Sequence, residues 1–400
     1  MIHDTVKLSQ LKDKEDDGAE ALAKKPITGA DQPEVYIPML ADRSIGIVAN
    51  QTSRLYDHPS LSKLPETING LHLVDYLLHH KLDIKNVFAP EHGFRGAADA
   101  GELVEDGVDT RTGLPIISLH GKNKKPTPEQ LAGIEVMVFD IQDVGVRFYT
   151  YISTLHLVME ACAEAGINLL VMDRPNPNGH YIDGPVMEKE HTSFLGMHTV
   201  PLVHGMTIGE YAQMINGEGW LKDGLKCNLE IVKIKNYSHD MEYSLRERPS
   251  PNLPNDVAIN LYPSLGLLEG TTVNAGRGTE SQFQLIGSPH LDPKRYSYKY
   301  TPRPNFGAKY PKYLGVECNG MDLRNVPRLN RLDLSWIMDA YQHHDKNEVF
   351  FNTKNFTAHA GTEQLQKQIE QGMTMGEIRE TWLKDLQAYD QMRKKYLLYD

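Results

Sequence analysis

Apolar positions in the first half of this chain come in short runs that stop abruptly at polar clusters. Ser44–Ala49 (SIGIVA) gives way to Asn50, Gln51, Thr52 and Ser53. Residues 85–89 (KNVFA) give way to Pro90, Glu91, His92, Gly93, Phe94, Arg95 and Gly96. Residues 135–139 (EVMVF) end in Asp140, and Gln142, Asp143 and Arg147 follow closely. Asn168–Met172 (NLLVM) runs into Asp173, Arg174, Pro175 and Asn176. Runs of this length, rich in Val, Ile and Leu, read as strands buried on both faces of a parallel sheet. Between them the apolar period lengthens to that of a helix. Leu71, Val74, Leu77, Leu78 and Leu82 make one stripe, and Ile152, Leu155, Val158, Met159 and Cys162 make another, which Gly166 closes. Thr127, Pro128 and Gln130 spell a helix start. Strand–helix alternation of this kind predicts an α/β fold: a Rossmann-like, doubly wound parallel sheet. Ligands bind beyond the carboxyl ends of such strands, so the four polar loops are expected to converge on one site.

The pattern then changes. Residues 1–34 are charged and poor in large apolar side chains, and read as a mobile arm or a short helix on the surface. Residues 35–199 form the Rossmann-like domain, and residues 200–400 a smaller auxiliary α+β domain that closes a cleft. Thr207 with Glu210, and Thr374 with Glu377, open helices as capping boxes. Residues 374–396 are expected to be the longest helix, burying Ile378, Trp382, Leu386 and Tyr389. The prolines at 249, 251 and 254 force an extended or turned segment.

Four hundred residues exceed what one compact core accommodates and fit two domains. A net charge of −11 argues against nucleic acid or an anionic membrane as the main partner. No stretch approaches the ~20 apolar residues of a membrane span. Three cysteines without a CxxC exclude a disulfide framework, and the 17 histidines show no zinc spacing, so no metal and no cofactor is expected. The polar cluster after the first strand carries no GxGxxG, and no GxSxG occurs, which removes NAD binding and the hydrolase nucleophile elbow. The beginning of the chain lacks an apolar signal core, which fits a cytoplasmic protein or one whose export signal is absent from this sequence.

Carboxylate chemistry remains. Glu91 sits at a strand end beside His92 and Arg95, with Phe88, Pro90 and Phe94 as an expected apolar wall that would raise its pKa by desolvation. A structural Glu91–Arg95 salt bridge is an equally good reading of the motif alone. Asp140, Asp143, Arg147, Tyr149 and Tyr151 suit a hydroxyl-rich, partly anionic ligand, and Arg174 and Asn176 extend that set. A Gly-rich stretch delivers Glu269, Asn274, Arg277 and Glu280, with His204 and Asn252 as further candidates.

The motifs GIVANQTS, APEHGFRG, DIQDVGVRFYTYISTL, MDRPNPNG, HGMTIGEYA, PSPNLP and LLEGTTVNAGRGTE follow one another in one order. Together they resemble the exo-β-N-acetylmuramidase (NamZ-like) family, from about residue 40 to the end of the chain. The resemblance implies a Rossmann-like domain with a smaller partner domain. It implies release of N-acetylmuramic acid from the non-reducing end of peptidoglycan-derived disaccharides and muropeptides, and export to the periplasm or exterior. Glu91 matches the family's expected catalytic residue, with Glu280, Asp143 and Glu269 as candidates for a second carboxylate. Leu253 and Gln282 depart from the family pattern without removing a candidate group. A cell-wall sugar-binding protein and a phosphate-handling transferase are the alternative readings.

Overall fold

The computed structural model describes residues 25–59, 61, 70–95 and 106–400. Its centre is a seven-stranded sheet ordered Leu229–Val232, Asn168–Met172, Val136–Asp140, Ser44–Ala49, Asp83–Ala89, Pro115–Ser118, Gly107–Val108. All neighbours pair in parallel except the last two. Leaving out the short antiparallel edge, six strands run in the order of a dinucleotide-binding fold, with the switch point between Ser44–Ala49 and Val136–Asp140.

Side-chain alternation explains why these runs are apolar throughout. Val136 and Val138 join one core with Ile45, Ile47, Leu170 and Met172, beneath the helices Pro33–Leu40 and Leu73–His79. Met137 and Phe139 join the other with Leu169 and Val171, beneath Tyr151–Ala165 and Ile208–Gly217. Tyr151–Ala165 ends at Gly166 in the left-handed conformation, as its sequence predicts. Both predicted capping boxes form, and the helix start at Thr127 proves to be a third.

The sheet does not end at residue 199. Strand Leu229–Val232 pairs with Asn168–Met172 through the crossover helix Ile208–Gly217, so both segments belong to the first unit. Within the N-terminal arm, residues 1–24 lie outside the described residues. Residues 28–32 are buried, Ile27 bridges to Lys235, and Gly29 N–H donates to the Asp173 carbonyl, so this part is packed and not a surface arm. The second unit holds a three-stranded antiparallel sheet (Leu285–Ser288, Cys318–Asp322, Tyr298–Tyr300) and several short helices. Its last helical region is two helices, Met375–Glu380 and Leu383–Arg393, but the buried stripe Ile378, Trp382, Leu386 and Tyr389 is the expected one. Among the described residues the longest helix is Tyr151–Ala165. One apolar core runs unbroken across the two units, joining Phe148 and Val203 to Leu261, Ile286 and Trp382.

Candidate active site

A cavity of about 190 Å³ opens between the two units. From the sheet side come Glu91 and His92, then Phe148, Tyr149, Thr150 and Tyr151. The second unit supplies Tyr262, Glu269 and Arg277, and Asn355 and His359 from helix Thr353–Ala360. The turn 250–253 contributes Ser250, Asn252 and Leu253.

Glu91 follows strand Asp83–Ala89 in a tight turn. His92 (φ 71°) and Gly93 (φ 77°) both adopt the left-handed region, reversing the chain and leaving Glu91 half-buried at the rim. Thr150 stands at the N-cap of helix Tyr151–Ala165 but caps nothing, and its hydroxyl donates to Glu91 Oε2 at 2.8 Å instead. A protonated Glu91 still accepts that bond through its carbonyl oxygen.

The walls are aromatic. Tyr262 meets Phe148, Tyr149 and Phe283 edge-on at centroid distances of 5.3, 5.9 and 4.8 Å. Burial raises the phenols of Tyr149, Tyr151 and Tyr262, so all three are neutral. The wall around Glu91 is therefore not the one its own motif suggested. Phe88 lies in the core of the sheet, and Phe94 packs edge-on against His72 beneath the Arg95 guanidinium.

Of the three candidates for a second carboxylate, Glu269 alone lines the cavity. Burial pushes its carboxyl up, but the Lys312 and Arg277 cations, helped by His359, more than offset this and hold it below the ordinary range. Arg277 lies 3.5 Å away, and Lys312 Nζ donates to the Leu268 and Val273 carbonyls beside it. Glu269 is thus ionised. Asp143 is buried outside the cavity lining, accepting from Gly145 N–H and lying 3.6 Å from His204. Glu280 is exposed and does not line the cavity.

Several expected ligand contacts are structural. Asp140 and Arg174 form a bidentate ion pair at 2.6 and 2.9 Å under the switch point; burial opposes the Arg174 charge, but Asp140 outweighs it. Thr52 and Ser53 tie the first loop to Gln142 N–H and the Asp140 carbonyl, so the crevice of the dinucleotide fold is filled by its own loops. Asn50 donates to Tyr151 Oη and holds Thr52, and Asn176 braces a turn through Met206 and Asn178. Arg95 pairs with Asp75 and Asp109. His204 is buried beside Asp143, and Asn274 bonds the Arg277 and Lys312 carbonyls. Arg147, fully buried, donates to four carbonyls: Pro185, Val200, His359 and Ala360. It clamps the C-terminus of the helix that carries His359. The four loops thus meet, but only residues 91–92 and 148–151 reach the cavity.

Sequence reasoning missed Thr150, Tyr262, Asn355 and His359. Asn355 and His359 stand four apart on one helical face, a spacing that was legible but weak. Among the described residues no group of His, Cys, Asp or Glu is arranged to hold a metal ion, and no helix is long and apolar enough to cross a membrane.

The family model for the N-terminal part of exo-β-N-acetylmuramidase NamZ matches residues 45–257, and that for its C-terminal part matches residues 260–399. The chain belongs to the NamZ exo-β-N-acetylmuramidase family. The boundary between the two models agrees with a first unit that keeps strand Leu229–Val232. The chain is similar to the peptidoglycan β-N-acetylmuramidase NamZ of Bacillus subtilis (strain 168), at 37% identity over 408 residues, covering 96% of this chain and 94% of that protein. Two crystal structures of DUF1343 family proteins from Bacteroides fragilis NCTC 9343 share the fold. One has a TM-score of 0.83 at 39% identity and the other 0.76 at 28%, each covering 94% of this chain and 99% of its own.

Proposed function

We propose that this NamZ-family chain is a glycosidase releasing N-acetylmuramic acid from the non-reducing end of peptidoglycan-derived disaccharides and muropeptides. Glu91 acts as general acid and Glu269 as the second carboxylate. The observation that carries this reading is the pairing of Glu91, on the sheet's rim, with an ionised Glu269 in one aromatic-walled cavity. Glu91 gives its proton to the glycosidic oxygen as the bond from C1 to that oxygen breaks. Positive charge then develops on the ring, where the Glu269 carboxylate stabilises it or orients the incoming water. The aromatic walls suit the apolar face of a sugar ring, and in this reading the Arg277 guanidinium on the cavity lining binds the lactyl carboxylate.

The test is hydrolysis of a chromogenic β-N-acetylmuraminide beside the matching glucosaminide. The unaltered protein is expected to cleave the first. Glu91→Gln and Glu269→Gln should each lower kcat by about 10²–10⁴-fold, while Glu280→Gln should leave it intact. A chelator should have no effect. Absence of turnover by the unaltered protein would favour a sugar-binding role, and dependence on magnesium a phosphate-handling one.

A further inference from the structure

Hydrolysis at C1 needs a proton acceptor for the attacking water as well as a proton donor for the leaving oxygen. Glu269 suits the first task poorly, because the cations that hold its carboxyl below the ordinary range also make it a weak base. His359 lines the same cavity, and its helix Thr353–Ala360 belongs to the second unit, whereas Glu91 enters from the sheet. One of its ring nitrogens is already committed. Nδ1 lies 2.8 Å from the Asn355 carbonyl one turn back, and since a carbonyl only accepts, Nδ1 carries the hydrogen. Nε2 is then a bare lone pair. It makes no hydrogen bond among the described residues, and it is not among the buried atoms sealed without a partner. The ring is held at 5.2 Å from Phe148, another wall of the cavity, and the Arg147 clamp on the His359 carbonyl fixes its backbone. Burial first, with the Lys312 and Arg147 cations, lowers the imidazole from its ordinary range against the pull of the Asn355 carbonyl and the Glu269 carboxylate, so it is neutral at pH 7.

We propose that His359 is the general base of the reaction, taking a proton at Nε2 from the water that attacks C1, and that hydrolysis therefore inverts the anomeric configuration. This assignment rests on the glycosidase reading above and divides its labour. Glu91 protonates the glycosidic oxygen as the bond from C1 to that oxygen breaks. The water oxygen forms the new bond to C1 from the other face, and one of its protons passes to Nε2. Acid and base carried by different units bracket a sugar held between them, as inversion requires. The imidazolium that forms lies in the field of the ionised Glu269, which favours the charged ring. Exchange with bulk water then removes the proton from Nε2 and returns one to Glu91, so the cycle consumes only water.

Proton NMR of a chromogenic β-N-acetylmuraminide during its first minutes of hydrolysis tests the assignment. The unaltered protein should release the α anomer first, before mutarotation mixes the two. His359→Gln should lower kcat by about 10²–10⁴-fold while calorimetric affinity for free N-acetylmuramic acid stays within a few-fold, which also shows that the variant is folded. Azide, a nucleophile with no proton to lose, should restore turnover to that variant and give the α-glycosyl azide. First release of the β anomer would overturn the proposal and leave the glycosidase reading standing. A variant with the parent's kcat, or one that loses only KM, would overturn it too, since His359 would then be a binding residue. If the unaltered protein cleaves no muraminide, the glycosidase reading itself falls and this assignment with it.

Discussion

Arg147→Met tests whether the joint between the two units is held as described. Methionine reaches about as far but carries no donors. Four hydrogen bonds from a cation, at 2.7–2.9 Å, contribute roughly 1.5–3 kcal/mol each before the cost of burying the charge. Burial pushes the guanidinium down from 12.5 to about 9, a fall that corresponds to roughly 5 kcal/mol of desolvation cost the variant no longer bears. The two effects oppose each other. The Val200 carbonyl also keeps its bond from Met187 N–H, which places the net near the lower part of the remaining range. We expect a loss of about 3 kcal/mol, comparable to the removal of one partner from a buried polar pair. Equilibrium unfolding in urea, followed by fluorescence and by far-ultraviolet circular dichroism, measures it. A variant as stable as the parent, or more so, would refute the reasoning, since that is the outcome when an apolar side chain replaces a buried charge without stranding its partners. Activity provides a second reading: His359 hangs on the clamped helix end, so KM should rise even in the folded fraction.

Two other predictions follow from the electrostatics. Lys312→Met removes the leading cation that holds Glu269 below the ordinary carboxylate range; the acidic limb of the kcat/KM profile should move to higher pH, and an unmoved limb would show that Glu269 does not control it. His72 is buried and lowered to about 3, by desolvation first and the Arg95 cation second. The unfolded chain takes up a proton near pH 6.5 and the folded one only near 3, so stability is fully present above that window and is lost as pH falls through it. Roughly 2 kcal/mol should disappear between pH 6.5 and 5, and His72→Gln should flatten that slope in urea titrations at the two pH values.

The sheet was legible because both of its faces are covered. When a strand is buried on two sides every position must be apolar, and SIGIVA, EVMVF and NLLVM therefore stand out from their surroundings. Capping boxes were legible for a local reason: Thr and Glu or Gln three residues apart satisfy each other's backbone donors without help from the fold. The fate of the polar loops was not legible. Asp140 and Arg174 have the same chemistry whether they bind a ligand or each other, and a separation of 34 positions along the chain hides their pairing. Arg147 misled for the same reason, because an arginine that ends on backbone carbonyls leaves no complementary acid in the sequence to betray it. Glu269 could not be separated from Glu280 by type or neighbours; only the turn of the chain aims one inward and leaves the other in solvent. The boundary at residue 199 failed because strand Leu229–Val232 is an edge of the sheet with an alternating pattern, which reads like a strand of any domain.

One proposed catalytic carboxylate rides on the sheet and the other on the neighbouring unit, so the gap between them belongs to a joint and not to a loop. In glycosidases that gap governs whether the anomeric configuration is kept or reversed. Packing far from the sugar, along the apolar seam from Val203 to Trp382, therefore sets how far apart the two proposed carboxylates stand. A small tilt of one half against the other alters the reaction's geometry while every residue at the site stays the same.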